Sequence, residues 1–282
     1  MEDKIQYISL DELKPFPGHP FHIRDDDAMR DTVDSIKEYG VLVPAIARPL
    51  PDGKYELISG HRRKRACELA GLETMPVIIR ELDDDEAVIA MVYSNLQREN
   101  ILPSERAKAY KMKVEALRRK TGRPSKENSS QVGTHFRADE KVAEDSGISR
   151  NQVQRFMRLN NLVPELINMV DDKKVAMNSA VELSFLKPEE QEQLVETMEV
   201  HQSIPSVSQA HRMKRFSQQG KLTEDVMEEI MNEEEEALPE KVILTGEKIR
   251  RFFPKSYTLE QMENVIIMLL ETWYRTRMQA EE

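Results

Sequence analysis

Cysteine is all but absent: Cys67 is the single one in 282 residues. One thiol can close no intramolecular disulfide and build no paired-cysteine metal knuckle. Long apolar runs are missing too, and nothing approaches the roughly 18 consecutive apolar residues of a membrane span. The opening Met1-Glu2-Asp3-Lys4 lacks the apolar core of a secretory signal. These absences make the cytoplasm the expected compartment and membrane partners unexpected. Basic excess is missing as well. The formal net charge is −10, which excludes a uniformly basic nucleic-acid coat but not a local basic face. His19, His22 and His61 share no metal-ligand spacing, so no zinc site is expected. Hydrophobic content of 39% against 33% charged residues suits a soluble helical protein with limited cores, and the length allows two or three domains.

The first hundred residues alternate strand and helix signals. Ile5–Ile8, Val43–Arg48, Tyr55–Ile58 and Met75–Arg80 are short, β-branched or alternating, and bounded by Pro or Gly, which predicts strands. Met29, Val33 and Ile36 share one helical face that Gly40 ends, and further helices are predicted over His61–Ala70 and Asp84–Tyr93. Asp25–Asp27 and Asp83–Asp85 read as solvated caps before helices, with the first-turn preference for acids. From Pro103 onward the pattern is helical. Ser104 is the expected N-cap of a helix running towards Arg119, Thr121–Phe136 reads as a mobile loop, and helices resume from Asp139 to about Gln218. The acidic stretch Thr223–Glu240, with its run Glu233–Glu236, favours an extended linker or an exposed helix. Near the end, Thr258 and Gln261 make a capping box, with Tyr257 and Met262 placed as a staple. Met262, Val265, Ile266, Leu269, Leu270 and Trp273 then form one apolar stripe.

Two short segments have the chemistry of an anion site. Ser59-Gly60 turns a strand into the helix beginning at His61, and helix starts offer free N–H groups to phosphate. Glycine allows close backbone approach, and Arg62 and Arg63 supply bidentate donors. Downstream, Asn95 and Gln97 are amides near a helix end, followed by Arg98. An asparagine oxygen can ligate a divalent cation that also binds phosphate. Taken one at a time, an ordinary strand-to-helix turn and an ordinary helix C-terminus give the same patterns.

In order and spacing, Gly40-Val41-Leu42-Val43-Pro44-Ala45-Ile46-Ala47-Arg48, Gly60-His61-Arg62-Arg63 and Asn95-Leu96-Gln97-Arg98-Glu99 resemble the three boxes of the ParB family of plasmid and chromosome partition proteins, in the form carried on mobile elements of Gram-positive bacteria. The resemblance covers about residues 5–215. It implies a pocket for CTP with Mg²⁺. Gly40 and Pro44 would lie near the nucleoside, and Ser59, Gly60, His61, Arg62 and Arg63 would hold the phosphates. Asn95 would help bind Mg²⁺ through the nucleotide phosphates, and Gln97 and Arg98 would complete the contacts. Two residues depart from the family pattern. His61 replaces the usual glutamate of Gly-Glu-Arg-Arg. Ser94 replaces the glutamate before Asn95, the residue thought to assist hydrolysis, so CTP binding is expected and hydrolysis is in doubt. The same fold is shared by sulfiredoxin, whose chemistry needs a cysteine where Gly60 stands; that enzyme is excluded. Cys67 is expected to be a packed, inert residue.

A helix-turn-helix is predicted over about 139–160. Ala143 is small where helices cross, Gly147 suits a turn with positive φ, and Ile148, Val153 and Phe156 supply a core. Ser149 can cap the second helix, placing Ser149, Arg150, Asn151, Gln154 and Arg155 where base-edge readers belong. No acid lies between Ser146 and Pro164. A solvated helical hairpin has the same signature. Lys111, Lys113, Arg118, Arg119, Lys120, Arg123 and Lys126 make a second basic run, suited to phosphate tracking or simply to solvation.

The expected architecture is therefore an α+β N-terminal ParB/sulfiredoxin-like domain (1–103), an all-α helix-turn-helix domain (104–220), an acidic linker (221–241) and a short helical dimerisation segment (242–282). The resemblance implies a homodimer that reads an inverted-repeat (parS-type) duplex and closes as a CTP-gated clamp, associated with the nucleoid. It also implies a partner ATPase of the ParA type. The family's basic N-terminal tail for that contact is nearly absent, since the first strand begins by Ile5. A transcriptional or nucleoid-occlusion regulator built from the same parts, and a CTPase or nuclease on the same scaffold, are the alternatives.

Overall fold

A computed structural model describes residues 4–98, 101–121, 137–232, 249–254 and 256–278. The chain divides into two units, 1–232 and 233–282.

In the first unit a five-stranded mixed sheet is formed by β1 (Ile5–Ser9), β2 (Leu13–Pro15), β3 (Ala45–Pro49), β4 (Tyr55–Ser59) and β5 (Thr74–Ile79), in the order β1-β5-β3-β4-β2. β1 and β5 pair antiparallel, as do β3 and β4, while β3–β5 and β2–β4 are parallel. Four of the strands stand where their periodicity places them. β2, which was not foreseen, is three residues long and ends on a proline. β4 shows why the adjacent Leu57 and Ile58 are both apolar. Leu57 packs in the cluster of Met29, Val33 and Ile36, and Ile58 packs in the cluster of Ala87 and Met91. The sheet is covered on both faces, so both faces must be apolar.

The first face is covered by α1 (Asp27–Tyr39) and α2 (His61–Ala70), the second by α3 (Asp84–Leu96). The aspartates expected as helix caps include two that are N-caps. Asp26 accepts from the Met29 N–H as an N-cap, and Asp83 forms a capping box with Glu86. Asp25 is paired with Arg65 at 2.6 Å.

α4 (Pro103–Thr121) carries the chain into the helical part. Ala109 packs with α3, Ala107 with the larger helical core, and Tyr110 and Val114 with α5 and α6. Ser104 is not its N-cap. The helix begins one residue earlier, with the Arg106 N–H on the Leu102 carbonyl, and the Ser104 N–H is satisfied by Asp171 at 2.9 Å. α5 (Ala138–Ser146), α6 (Arg150–Arg158), α7 (Pro164–Asp171), α8 (Met177–Leu183), α9 (Pro188–His201), α10 (Val207–Gln218) and α11 (Glu224–Asn232) follow.

α11 corrects the expected linker. Residues 224–232 form a helix whose Met227, Ile230 and Met231 are buried in the main helical core, together with Leu222. Burial of each large apolar side chain contributes about 1.5–3 kcal/mol, which outweighs the weak repulsion between its exposed acids. The run Glu233–Glu236, the rest of the linker to 241 and most of the predicted loop 121–136 lie outside the described residues.

In the second unit α12 spans Leu259–Met278. Its capping box is present: the Thr258 N–H donates to Gln261 Oε1 at 2.9 Å, and the Gln261 N–H to Thr258 Oγ1 at 3.3 Å. Met262 is buried, whereas Leu269, Leu270 and Trp273 of the stripe are 57–59% exposed.

Candidate nucleotide pocket and nucleic-acid interface

The chain turns from β4 into α2 at Gly60, with φ +106°. A Cβ there would stand 2.8 Å from the Cβ of Ala45. Only glycine therefore lets the turn rest on β3. No side chain caps this end of α2, so the first-turn amides keep the anion-binding character of a helix start.

Arg63 reaches back from α2 to donate to the carbonyls of Val43 and, at 2.7 Å, Pro44. It thereby ties the Gly40–Pro44 segment to the helix, beside a cleft of about 380 Å³ lined by Asp31, Thr32, Ser35, Gly40, Val43 and Arg63. Burial lowers the Arg63 guanidinium below its ordinary value. Arg98, just past α3, is lowered by burial and then by the positive charges of Arg62 and Arg63, with Glu105 opposing. Arg62 makes a 3.5 Å contact to Asp26. The charges of Arg62 and Arg63 on α2 thus both act on Arg98, beyond the end of α3.

His61, the first residue of α2, is buried and stacks on His19 with ring centroids 3.9 Å apart. Its Nε2 accepts from the Phe16 N–H at 3.4 Å. Burial, then His19, Arg98 and Lys64, push its pKa down to about 3, so it is an uncharged ring at neutral pH. His19 was not foreseen as part of this site. Its one sequence signal is the rigid Pro17-Gly18-His19-Pro20, which fixes a histidine just past β2.

Asn95 is 3% exposed, and its Nδ2 donates to the Met91 carbonyl at 2.9 Å. With the nitrogen committed, Oδ1 is the atom left for a cation. Gln97 is the exposed C-cap of α3. Ser94 donates its hydroxyl to the same Met91 carbonyl at 2.9 Å. Among the described residues no group of three His, Cys, Asp or Glu side chains could hold a metal. A divalent ion here would depend on oxygens of a ligand. The donor set, three arginines and an uncapped helix start, fits a polyphosphate. Cys67 is fully buried, and burial raises its thiol pKa, as suits an inert packed residue.

In the helical part, α5 ends at Gly147 with φ +66°, and Ser149 caps α6 in a capping box with Gln152. Val153 is fully buried against Val142 and Ala143, with Ile148 and Phe156 partly buried beside it. The five predicted readers therefore sit on or before the first turns of α6, though in different states. Arg150 Nε and Gln154 Nε2 both donate to Asp139 Oδ2 at 2.6 Å. Arg155 donates to Asn178 of α8. Asn151 is exposed, and the Ser149 hydroxyl is used by the cap.

Two domain families match this chain: the ParB N-terminal domain over residues 1–96 and the ParB HTH domain over residues 131–219. The chain belongs to the ParB family. It is 32% identical over 183 residues to the chromosome-partitioning protein Spo0J of Thermus thermophilus, covering 65% of this chain and 61% of that one. It is 28% identical over 243 residues to stage 0 sporulation protein J of Bacillus subtilis, covering 84% and 79%. The C-terminally truncated ParB of Caulobacter crescentus, solved with the centromeric parS site, matches at 24% identity and a TM-score of 0.45 over 74% of this chain and 98% of that one. Its form with CTP-gamma-S matches at 29% identity and a TM-score of 0.32, over 64% and 92%. The chain spans about three fifths of the length of the Thermus relative.

Three residues of the second basic run are engaged within the chain. Lys113 is fully buried in an ion pair with Asp145 at 2.8 Å, Arg119 pairs with Asp85 at 2.6 Å, and Lys120 pairs with Glu86 at 2.7 Å. These side chains hold α4 to α3 and α5. Arg123 and Lys126 lie outside the described residues.

Proposed function

We propose that this chain is a CTP-responsive, sequence-specific DNA-binding protein of the ParB type, acting in chromosome or plasmid partition. The observation that carries the reading is the convergence of Arg62, Arg63 and Arg98 on the uncapped start of α2. Like charges gathered under partial burial destabilise one another. An anion among them would offset the repulsion that Arg62 and Arg63 exert on Arg98.

When bound, the triphosphate supplies the negative charge that cancels this repulsion. Arg62, Arg63 and Arg98 bind it, with the backbone at Ser59, Gly60 and His61 in contact with its oxygens. Asn95 would be the residue to hold Mg²⁺, and the ion would supply charge to the phosphates. Gly40 and Pro44 flank the nucleoside, on the segment that Arg63 fastens. Gln97 extends the contacts past the end of α3. Ser94 has no charge to activate water, so the nucleotide acts as a switch more than as a substrate.

Ser149, Arg150, Asn151, Gln154 and Arg155 face the major groove of an inverted-repeat duplex, and the twofold symmetry of a dimer matches that repeat. The apolar face of α12 supplies the dimer contact. Nucleotide binding draws the N-terminal parts of the two copies together around DNA, on the nucleoid, and a ParA-type ATPase is the partner class.

Titration of labelled CTP, with ATP as the control, in Mg²⁺ and in the presence of a selected duplex tests the reading. CTP-selective binding is expected. No binding of either nucleotide would remove the pocket, leaving a plain DNA-binding regulator.

A further inference from the structure

His19 brings together three observations that the arginine pocket does not use. Its Nδ1 lies 2.8 Å from the carbonyl oxygen of Phe21. A carbonyl only accepts, so Nδ1 carries the proton and Nε2 is a bare lone pair. That Nε2 is buried and has no hydrogen-bond partner among the described residues. Finally, the ring lies against His61, whose own backbone opens α2.

The fixed charges around the two rings are Arg98, Lys64 and Glu105. Arg98 from the end of α3, His22 on the same segment and His61 of α2 stand near His19, and Glu105 of α4 is the carboxylate that opposes them. Around His61 stand His19, Arg98 and Lys64. Glu105 is already engaged, with Oε1 accepting from the His22 N–H at 2.7 Å and Oε2 from the Leu102 N–H at 3.1 Å. Burial is the largest cause that keeps both imidazoles uncharged, and the cations add to it.

We propose that His19 is a further ligand of the polyphosphate pocket and binds as an imidazolium: Nε2 takes one proton from solvent and donates it to a phosphate oxygen. No covalent bond to the ligand forms, and one proton is taken up for each anion bound. A neutral His19 would offer a phosphate oxygen only the Nε2 lone pair, which is repulsive. An anion reverses the balance, because its charge offsets the cations that oppose protonation. The inference rests on the nucleotide reading above, and it makes affinity pH-dependent. A group with a higher pKa in the complex than in the free protein strengthens binding most below the free value. The gain falls about tenfold per pH unit between the two values and is gone above the bound one.

The test is calorimetry of the full chain with CTP and Mg²⁺, and separately with inorganic tripolyphosphate, in Pipes and in Tris at equal pH. The two buffers have different ionisation heats, so protons taken up appear as a difference in heat. The same titrations on His19→Gln subtract the ligand's own protonation. The wild type is expected to take up about one more proton per ligand than the variant and to lose affinity more steeply with rising pH. Equal uptake by both proteins, with both binding CTP, overturns the role of His19 and leaves the pocket standing. Absence of CTP binding by the wild type overturns the pocket as well. Should His19→Gln fail to fold, nitrogen NMR of the wild-type histidines decides: Nε2 of His19 must shift to an imidazolium signal on adding CTP, and an unchanged signal overturns the proposal.

Discussion

Asp139 holds Arg150. Its Oδ2 accepts from Arg150 Nε at 2.6 Å, across the turn from α5 to α6, and the same oxygen accepts from Gln154. One carboxylate therefore positions two of the five residues placed at the duplex. The bond uses Nε of Arg150, so the terminal nitrogens remain to form a bidentate pair with a guanine edge.

Burial alone would raise the Asp139 carboxyl, but the hydrogen bonds from Arg150 and Gln154 outweigh it and hold the pKa below the usual value. The sign follows from linkage. A depressed folded-state pKa contributes stability above the unfolded value, and that contribution is lost as pH falls through the folded one. Asp139→Asn is expected to lower stability in urea unfolding by roughly 1–2 kcal/mol at pH 7, with the gap closing in acid below the depressed pKa. Site-specific DNA affinity should fall as well, because Arg150 loses its alignment. Direct removal of the readers, Arg150→Ala or Arg155→Ala, should cost about 1–3 kcal/mol each on the specific site. Unchanged affinity in both alanine variants, measured by fluorescence anisotropy on a selected duplex, would sink the recognition-helix assignment.

Gly60→Ala combines a left-handed φ with a methyl 2.8 Å from Ala45 Cβ. Neither can relax cheaply, since the contact lies on the β3 backbone side of the core. A loss of about 1–3 kcal/mol in thermal or denaturant unfolding is expected, together with weaker CTP binding. Retained binding with full stability would mean that the turn adapts, and the close approach of helix and strand would lose its importance.

Ser94→Glu restores the carboxylate that the family pattern has before Asn95. Steady-state phosphate release is the measurement. If position 94 faces the attacking water, turnover should rise by about 10²-fold, the lower end of what a positioned general base supplies. No gain, with CTP binding intact, would show that the position is not the one that limits hydrolysis.

The apolar face of α12 predicts a dimer. Leu269→Glu with Leu270→Glu places charge on two side chains that are 58–59% exposed, so the change should spare the helix and cost little within one copy. Sedimentation is expected to show a dimer for the wild type and a monomer at the same concentration for the variant. A dimer that survives both this change and removal of residues 241–282 would assign the contact elsewhere.

Some of this was legible in the chain because it is local. The bounds of α2 follow from Gly60 and Gly71, and the caps at Asp83, Ser149 and Thr258 follow from polar residues at three-residue spacing. The turn at Gly147 needed a residue that tolerates positive φ, and one stands there. β2 was not legible, since three residues carry no periodicity and parallel pairing to β4 has no signature in sequence. The acids of 224–232 concealed a core helix, because charge is conspicuous while Met227 and Ile230 are spaced one face apart.

By itself the sequence determined which residue types were available to the two sites: a glycine-led helix start with two arginines, an arginine beyond Asn95, and a capped, acid-free helix. Caps, turns and short helices depend on neighbours a few positions away, and such information is written along the chain. Only the tertiary structure decided that His19 lies on His61, that Arg98 feels the charges of Arg62 and Arg63, that Lys113 is buried on Asp145, and that Asp139 restrains Arg150. Those relationships join residues dozens of positions apart, or turn on which neighbour wins a single carboxylate. They are fixed by burial and by competition for charge, which only the packed chain resolves.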